Sequence, residues 1–274
     1  MQQFSPKAHI SLVGAGPGDP DLISVKGLKA IQSADAILYD ALVNPILLKN
    51  APSGCVKIYV GKRRGMHRYP QEKINELLVQ TARRYGHAVR LKGGDAFVFG
   101  RGHEELTYVR AHKIPVSIVP GISSCISVPA LQEIPLTCRG VNESFWVLTA
   151  TTKNGKLSTD IQYAAQSSAT AVILMGMRKL EEIVALFAHH GKTNCPAIVI
   201  EKGSCHGEKA IIGPLDRICE SVRDAKLSAP GIIVIGEVVG LHTDWELAQK
   251  HPILIGAQAA RQAFPQAIRH ALPA

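Results

Sequence analysis

Residues 90–105 read R-L-K-G-G-D-A-F-V-F-G-R-G-H-E-E. An apolar run that includes Val89 and Leu91 leads into this stretch and predicts a buried strand. Gly93 and Gly94 follow the strand, and because glycine has no Cβ and tolerates positive φ, the backbone there can approach a ligand closely. The last residues are typical of a helix start. The stretch therefore predicts a strand, a glycine turn and a helix, although for the glycine pair alone a purely structural turn is the simpler interpretation.

Strand patterns and helix patterns alternate on both sides of this stretch. Strands are predicted at residues 10–13, 36–39, 56–60, 88–91, 116–119, 145–149, 171–175, 197–200, 210–212 and 232–235, and helices after Ser24, after Pro70, through Leu106 and Val109, after Gly121 and at 179–190. This alternation predicts α/β architecture with a largely parallel sheet, in which ligands bind at the carboxyl ends of strands. We expect an N-terminal α/β domain at 1–140, a C-terminal α/β domain at 141–241 and a peripheral or disordered extension at 242–274.

Length and composition narrow the class of protein. The chain has 274 residues and 46% hydrophobic content, enough for a sizeable core. No apolar run reaches the length of a membrane span and the first residues do not resemble a signal peptide, which predicts a cytoplasmic protein without a membrane partner. The six cysteines are scattered and predict reduced thiols. Cys195, Cys205 and His206 match no usual zinc spacing, so we predict no metal.

The charge balance favours an anionic partner. Lysine and arginine outnumber aspartate and glutamate by 31 to 22, and one compact basic cluster lies at residues 62–64. Aromatic residues make up only 5% of the chain, whereas a nucleic-acid-binding surface is expected to combine clustered cations with interleaved aromatic residues that stack on bases. A polyanionic small substrate is therefore favoured over DNA or RNA, although charge alone does not separate them.

The glycine-rich segment at residues 14–20, G-A-G-P-G-D-P, is similar to a dinucleotide-binding fingerprint. Asp19 stands where the third glycine should allow close helix packing, and Pro17 lacks an amide that a phosphate would use. The segment is thus a glycine-rich loop after a strand, and a nicotinamide-dependent enzyme is disfavoured.

Six motifs together resemble the uroporphyrinogen-III C-methyltransferases, a family among the tetrapyrrole methyltransferases. They are G-A-G-P-G-D-P at 14–20, G-K-R at 61–63, the stretch at 90–105, V-P-G-I-S-S at 119–124, I-P-L-T-C-R-G at 134–140 and L-M-G-M at 174–177. The resemblance covers residues 10–241 and implies two α/β domains with an S-adenosylmethionine site in the cleft between them. It also implies a homodimer that methylates C2 and C7 of uroporphyrinogen III to give precorrin-2, on the branch to siroheme and cobalamin.

The resemblance also implies roles for individual residues. The methyl donor is expected to contact Pro17, Gly93, Gly94, Asp95, Val98, Ser123, Ser124, Met175, Ala229, Pro230 and Gly231. Arg101 and Glu104 are implied in proton handling, although an ordinary i,i+3 surface ion pair explains the same spacing. Arg139 and Met177 are implied in substrate binding. Arg63 and Arg64 are added as a hypothesis, because guanidinium groups bind carboxylates such as the acetate and propionate arms of the substrate.

Several positions depart from the family pattern. Ala96 replaces a proline, Cys138 and Thr151 each replace a histidine, and Lys202 replaces an asparagine. The two histidine losses leave the identity of a proton acceptor open. The nearest alternative is another precorrin or cobalt-precorrin methyltransferase of the same superfamily.

Overall fold

The computed structural model describes residues 8–61 and 69–256. The chain divides into two compact units between Ser124 and Cys125. This division lies earlier than the boundary expected after residue 140, because the residues after Ser124 pack with the second unit. Val128 lies against Gly203, and Nε2 of Gln132 donates a hydrogen bond to Oε1 of Glu208.

The first unit is built around one five-stranded sheet. Its strands are β1 (His9–Gly14), β2 (Ala36–Tyr39), β3 (Val56–Tyr59), β4 (His87–Lys92) and β5 (Val116–Val119), and its helices are α1 (Val25–Gln32), α2 (Gln71–Tyr85) and α3 (Gly102–Ala111), with 3₁₀ turns at Pro20–Leu22 and Pro45–Asn50. The strand order is β3-β2-β4-β1-β5, and every neighbouring pair is parallel. The predicted parallel α/β architecture of this unit is confirmed.

Local signals in the sequence account for the helix ends of the first unit. The side chain of Ser24 accepts a 3.1 Å hydrogen bond from the amide of Gly27 and so caps α1. Pro70 precedes α2, and Gly86 ends it with a φ of 109°, a conformation that favours glycine. Helix α1 therefore begins after Ser24 and α2 begins after Pro70, as the sequence predicts.

The first sheet is covered on both faces, as parallel sheets usually are. Ile10, Leu12 and Ala88 point toward a core that includes α2 and α3. Val13 and Leu91 point toward the opposite core, which includes α1. The loops at the carboxyl ends of the strands lie outside these two cores. They hold most of the predicted site residues of the unit.

The second unit contains a mixed six-stranded sheet. Its elements are α4 (Ser124–Leu131), β6 (Phe145–Thr149), α5 (Asp160–Gln166), β7 (Thr170–Leu174), α6 (Leu180–His189), β8 (Pro196–Glu201), β9 (Lys209–Pro214), α7 (Leu215–Asp224), β10 (Gly231–Ile235), α8 (Trp245–Ala248) and β11 (Ile253–Gly256), with 3₁₀ turns at Met177–Lys179 and Glu237–Leu241. The order is β11-β9-β8-β10-β7-β6. Only β6 and β7 run parallel; the other neighbouring pairs are antiparallel.

The second unit contains helices and a strand that the sequence patterns did not predict. Helices α5 and α7 were not predicted, although Leu215, Ile218 and Val222 give α7 a buried face at helical spacing. Strand β11 pairs with β9 at the edge of the sheet, so part of the expected C-terminal extension belongs to this unit. Residues 257–274 lie outside the described part.

Composition also led to expectations about membrane spans, cysteines and metal sites. Within residues 8–61 and 69–256, no helix is both long enough and apolar enough to cross a membrane. All six cysteines lie in these ranges and none forms a disulfide there, and their reduced state stays a prediction. The same ranges contain no group of three or more His, Cys, Asp or Glu side chains that could hold a metal ion, and the absence of a metal stays a prediction.

Candidate functional site

The loops that follow β1 and β4 are paired through their backbones. The amide of Gly16 donates to the carbonyl of Gly94 at 3.2 Å, and the amide of Gly94 donates to the carbonyl of Gly16 at 2.7 Å. The amide of Ala15 donates to the carbonyl of Lys92 at 2.7 Å. The two glycine motifs, far apart in sequence, therefore form one backbone surface beyond the carboxyl edge of the sheet.

A third loop, after β5, packs against the same surface through glycine. A Cβ added to Gly121 would lie 2.4 Å from the carbonyl oxygen of Gly94 and 2.6 Å from the Cα of Gly14. A Cβ added to Gly14 would lie 2.5 Å from the amide nitrogen of Gly121. No side chain fits at Gly14 or Gly121, so backbone packs directly on backbone where the three strands end.

Gly93 and Gly94 are glycines for different reasons. A Cβ on Gly93 would lie 2.5 Å from the Cβ of Leu42, in the loop after β2. Gly94 has a φ of 63°, and a Cβ there would meet only the amide nitrogen of Ser124, at 3.9 Å. The side of Gly94 that a side chain would occupy is thus open, and a ligand can reach the backbone there.

Asp95 fastens this loop to its neighbour. Its Oδ2 accepts a 2.9 Å hydrogen bond from the amide of Gly121, and its Oδ1 accepts a 2.7 Å hydrogen bond from the amide of Phe97. Each carboxylate oxygen therefore holds a backbone amide, one in the loop after β5 and one in its own loop. The geometry gives Asp95 a part in shaping the surface as well as the predicted part in binding the donor.

The other predicted donor residues of the first unit lie on the same edge. Pro17 follows Gly16 in the loop after β1, and the amide of Val98 donates to the carbonyl of Asp95 at 3.4 Å. Ser123 is buried, and Ser124 begins α4. The fold therefore brings these residues to the end of the sheet where Gly93, Gly94 and Asp95 lie.

Arg101 and Glu104 form a bidentate pair at the start of α3. Nε of Arg101 donates to Oε1 of Glu104 at 2.8 Å, and Nη2 donates to Oε2 at 2.6 Å. These hydrogen bonds raise the pKa of the Arg101 guanidinium. The side chains are 42% and 52% exposed, and exposed pairs of this kind contribute only about 0–1 kcal/mol to stability. The geometry agrees with the ordinary surface pair, so proton handling by Arg101 and Glu104 stays a prediction.

Sequence reasoning missed a buried cluster of charges beside the glycine loop. Nε of Arg90 and Nζ of Lys92 each lie 3.1 Å from Oε1 of Glu105, and all three residues are buried. Burial raises the pKa of Glu105, but the charges of Arg90 and Lys92 more than offset it, so that pKa is lowered. Burial, followed by the charge of Arg90, lowers the pKa of Lys92. The available signal was the i,i+2 spacing, which puts both cations on one face of β4.

The predicted donor residues of the second unit lie on two of its loops. Met175, which is 52% exposed, has a φ of 57°, and its carbonyl accepts a hydrogen bond from the hydroxyl of Thr151. Ala229 and Pro230 are exposed and joined by a cis peptide bond. Gly231 begins β10, and a Cβ there would lie 2.6 Å from the sulfur of Met177. Gly231 and Met177, a predicted substrate contact, are therefore neighbours.

Arg139 lies exposed in a tight turn. The turn is held by Asn142, whose Oδ1 accepts a 2.8 Å hydrogen bond from the amide of Cys138 and whose Nδ2 donates to the carbonyl of Leu136 at 2.9 Å. Arg139 forms no salt bridge with any described residue, which leaves its guanidinium available to an anion. Arg63 and Arg64, the other predicted substrate arginines, lie outside the described residues.

Comparison with known proteins identifies the family of the chain. The family described as Tetrapyrrole (Corrin/Porphyrin) Methylases matches residues 9–219. The uroporphyrinogen-III C-methyltransferase of Methanocaldococcus jannaschii is 43% identical over 234 residues, which cover 85% of this chain and 97% of that protein. The siroheme synthase of Nitrosomonas europaea is 38% identical over 238 residues, 86% of this chain. The chain spans 50% of the length of that relative.

A solved structure is similar in both sequence and fold. It is the uroporphyrin-III C-methyl transferase of Thermus thermophilus complexed with S-adenyl homocysteine, with 34% identity and a TM-score of 0.73. The match covers 85% of this chain and 99% of that one. By sequence and by fold, this chain is a methyltransferase and belongs to the tetrapyrrole (corrin/porphyrin) methylase family.

Proposed function

We propose that the protein transfers methyl groups from S-adenosylmethionine to C2 and C7 of uroporphyrinogen III and so forms precorrin-2. The observation that carries this proposal is the 43% identity to a relative named for methylation of uroporphyrinogen III, of which the chain covers 97%. The backbone surface formed by Gly14, Gly94 and Gly121 supports it, because ligands of parallel α/β sheets bind at the carboxyl ends of the strands.

S-adenosylmethionine is the methyl donor, and the open side of Gly94 suits a ligand that approaches backbone closely. When bound, its sulfonium supplies a methyl group that is already activated. The protein then has to bind the donor, hold the acceptor carbon in line with the methyl group and exclude water. We assign donor binding to residues 93–95, together with Pro17, Val98, Ser123 and Ser124. Met175 and residues 229–231 stay predictions for the same ligand.

Asp95 serves the donor in two ways under this proposal. Its two hydrogen bonds fix the loop, and its negative charge favours a cationic ligand nearby. Each carboxylate oxygen accepts one backbone hydrogen bond and keeps further acceptor capacity. The residue can therefore hold the loop and interact with the sulfonium-bearing donor at the same time.

Arg139 is proposed to bind the carboxylate arms of the macrocycle. It is exposed, and it forms no salt bridge with the described residues, so no existing ion pair has to break. The planar guanidinium can bind both oxygens of a carboxylate at once. Arg63 and Arg64 are predicted to act in the same way, and Met177 to contact the macrocycle itself.

A proton has to leave the macrocycle after the ring carbon has accepted a methyl group. We propose Glu104, or a water molecule that it orients, as the acceptor. The carboxylate is exposed and is held in one orientation by the guanidinium of Arg101.

Four further proposals concern assembly, location, partners and pathway. The family resemblance supports a homodimer, and the composition of the sequence supports a cytoplasmic location without a nucleic-acid or membrane partner. Its product is proposed to enter siroheme or cobalamin synthesis. Equilibrium sedimentation of the purified chain tests the dimer directly, since a monomer at micromolar concentration would contradict it.

An anaerobic methyl-transfer assay tests the reaction. The protein is incubated with uroporphyrinogen III and S-adenosylmethionine labelled in its methyl group, and the macrocycle is analysed by mass spectrometry. Two labelled methyl groups per macrocycle are expected. Transfer to a later precorrin or cobalt-precorrin, with none to uroporphyrinogen III, would identify the alternative activity in the same family.

A further inference from the structure

The two ends of the glycine loop are joined by a buried ion pair. Lys92 is the last residue of β4, and Glu105 lies in the first turn of α3. Nζ of Lys92 donates to Oε1 of Glu105 at 3.1 Å, where the side chains are 6% and 0% exposed. We name this pair the Lys92–Glu105 clasp. It closes the base of the loop that carries the proposed donor residues 93–95.

The clasp is connected to two other elements. Oε1 of Glu105 also accepts hydrogen bonds from Nε of Arg90 at 3.1 Å and from Nε2 of Gln71, at the start of α2, at 3.2 Å. Nη2 of Arg90 in turn lies 3.6 Å from Oδ2 of Asp40, just after β2. One carboxylate oxygen therefore ties α2 and α3 to the end of β4.

The backbone continues these connections into the loop. The carbonyl of Lys92 accepts a hydrogen bond from Ala15, and the amide of Gly102, the first residue of α3, donates to the carbonyl of Ala96 at 2.8 Å. The clasp therefore lies at the base of residues 93–101, where the backbone is also held by hydrogen bonds at Lys92 and at Gly102.

Stability alone is a weak explanation for this arrangement. Moving charged groups out of water is costly, and well-packed apolar residues of similar volume are often as stabilising as a buried ion pair. The cluster nevertheless places Arg90, Lys92 and Glu105 in the core at the base of the loop that is proposed to bind the donor. A fixed loop shape lowers the entropy that binding must remove.

We propose that Glu105 is a positioning residue for the methyl donor, and that the Lys92–Glu105 clasp holds residues 93–101 in the conformation that binds S-adenosylmethionine. Glu105 acts through the loop and does not touch the donor. The inference rests on the proposed function, because it assigns the loop to that ligand.

Replacing Glu105 by glutamine tests the role of its charge most directly. Among the described residues, Oε2 of Glu105 accepts no hydrogen bond, and the hydrogen bonds from Gln71, Arg90 and Lys92 all go to Oε1. Glu105→Gln keeps the size and one acceptor oxygen and removes the charge that holds Lys92 and Arg90. The double variant Lys92→Met/Glu105→Gln removes one charge of each sign, so it keeps the net charge of the cluster while it lacks the clasp.

The experiment is calorimetric titration with S-adenosylmethionine in the absence of any tetrapyrrole. We expect Glu105→Gln and Lys92→Met each to weaken donor binding about tenfold, and the double variant to bind no more weakly than either single variant, because all three lack the same ion pair. The double variant keeps the test decisive if a single variant does not fold, since it should still bind about tenfold more weakly than the unaltered chain.

Val109→Ala is the matched control. Val109 is fully buried on α3 but belongs to the apolar core, so its truncation loosens the helix without changing the charges. Its donor affinity should stay within about twofold of the unaltered chain. An unchanged donor affinity in Glu105→Gln or in the double variant would overturn the inference. So would a double variant whose loss of donor affinity equals the sum of the two single losses, or a Val109→Ala variant that loses as much affinity as Glu105→Gln. No donor binding by the unaltered chain would overturn the proposed function itself.

Discussion

The amide of Gly121 donates a 2.9 Å hydrogen bond to Oδ2 of Asp95. These residues lie in different loops, one after β5 and one after β4, and the other oxygen of the carboxylate holds the amide of Phe97. Asp95 therefore links the loop after β4 to the loop after β5, and it also fixes the turn in the loop after β4. Because the linked backbone is the surface assigned to the methyl donor, changes at either residue should alter donor binding.

Asp95→Ala should weaken the binding of S-adenosylmethionine. The two amides lose a charged acceptor, and hydrogen bonds to charged groups contribute about 1.5–3 kcal/mol. Calorimetry without a tetrapyrrole measures the loss. Asp224→Ala, at an exposed site near the end of α7, is the control and should bind normally. Equal affinities for S-adenosylmethionine in the two variants would contradict the assignment of Asp95 to the donor site.

Gly121→Ala should destabilise the protein by about 1–3 kcal/mol, because its methyl group would overlap backbone atoms that have no room to move. Urea unfolding measures the change. Gly54→Ala is matched to it, since a Cβ on Gly54 meets no atom within 4 Å. If Gly121→Ala unfolded at the same urea concentration as Gly54→Ala, the close packing of the three loops would be wrong.

Arg139→Ala should weaken uroporphyrinogen binding by about tenfold or more, which is within the range of one charge-assisted bidentate hydrogen bond. Donor affinity should stay nearly unchanged, because the substitution leaves the donor loop intact. Separate titrations with each ligand under anaerobic conditions distinguish the effects. Arg110→Ala, an exposed arginine on α3, serves as the control. Equal losses for both ligands, or for neither, would contradict the assignment of Arg139.

Glu208→Gln should make the protein more stable at neutral pH. Burial raises the pKa of Glu208, and hydrogen bonds from the amide of Ser204 and from Gln132 offset only part of that effect. A carboxyl whose pKa is raised on folding stabilises the fold below its ordinary value of 4.5, and this contribution is lost as the pH rises through the folded pKa. The ionised carboxylate is thus unfavourable in the folded protein at about pH 7.

In Glu208→Gln the new amide nitrogen replaces the oxygen that accepts from Nε2 of Gln132, and the remaining oxygen still accepts from the amide of Ser204. A turned-over Gln132 amide then accepts from that nitrogen through its Oε1, a buried atom without a hydrogen-bond partner among the described residues. We expect a gain of about 1 kcal/mol at neutral pH. Unfolding measured at two pH values checks the sign, since the gain should shrink toward pH 4.5, where the native carboxyl binds its proton. A gain that grows with acidity would show that Glu208 is not unfavourably ionised.

The sequence predicted much of the first unit because its signals are local. Helix α2 lies between Pro70 and Gly86, and the strands of the first sheet are short apolar runs buried on both faces. Strand direction in the second unit has no comparable local signal. The segment after β8 turns back at residues 202–208, and β9 then runs antiparallel, which composition alone does not determine. Helix α7 was missed despite its apolar face.

The site was predictable to a similar extent. The motifs identified the residues that the fold brings together at the carboxyl edge of the first sheet. They did not reveal that Arg90 and Lys92 point into the core, because each charged residue taken alone is usually solvated. Their partner Glu105 lies beyond the loop, and only the fold brings its carboxylate within 3.1 Å of both cations.

The positions of the transferred methyl groups test the central claim most directly. Uroporphyrinogen III and S-adenosylmethionine carrying ¹³C in its methyl group are incubated anaerobically with the protein, and the product is examined by ¹³C NMR. The account predicts two enriched methyl signals, on C2 and C7 of the macrocycle. Enrichment at other ring positions, or none in folded protein that binds the donor, would contradict it.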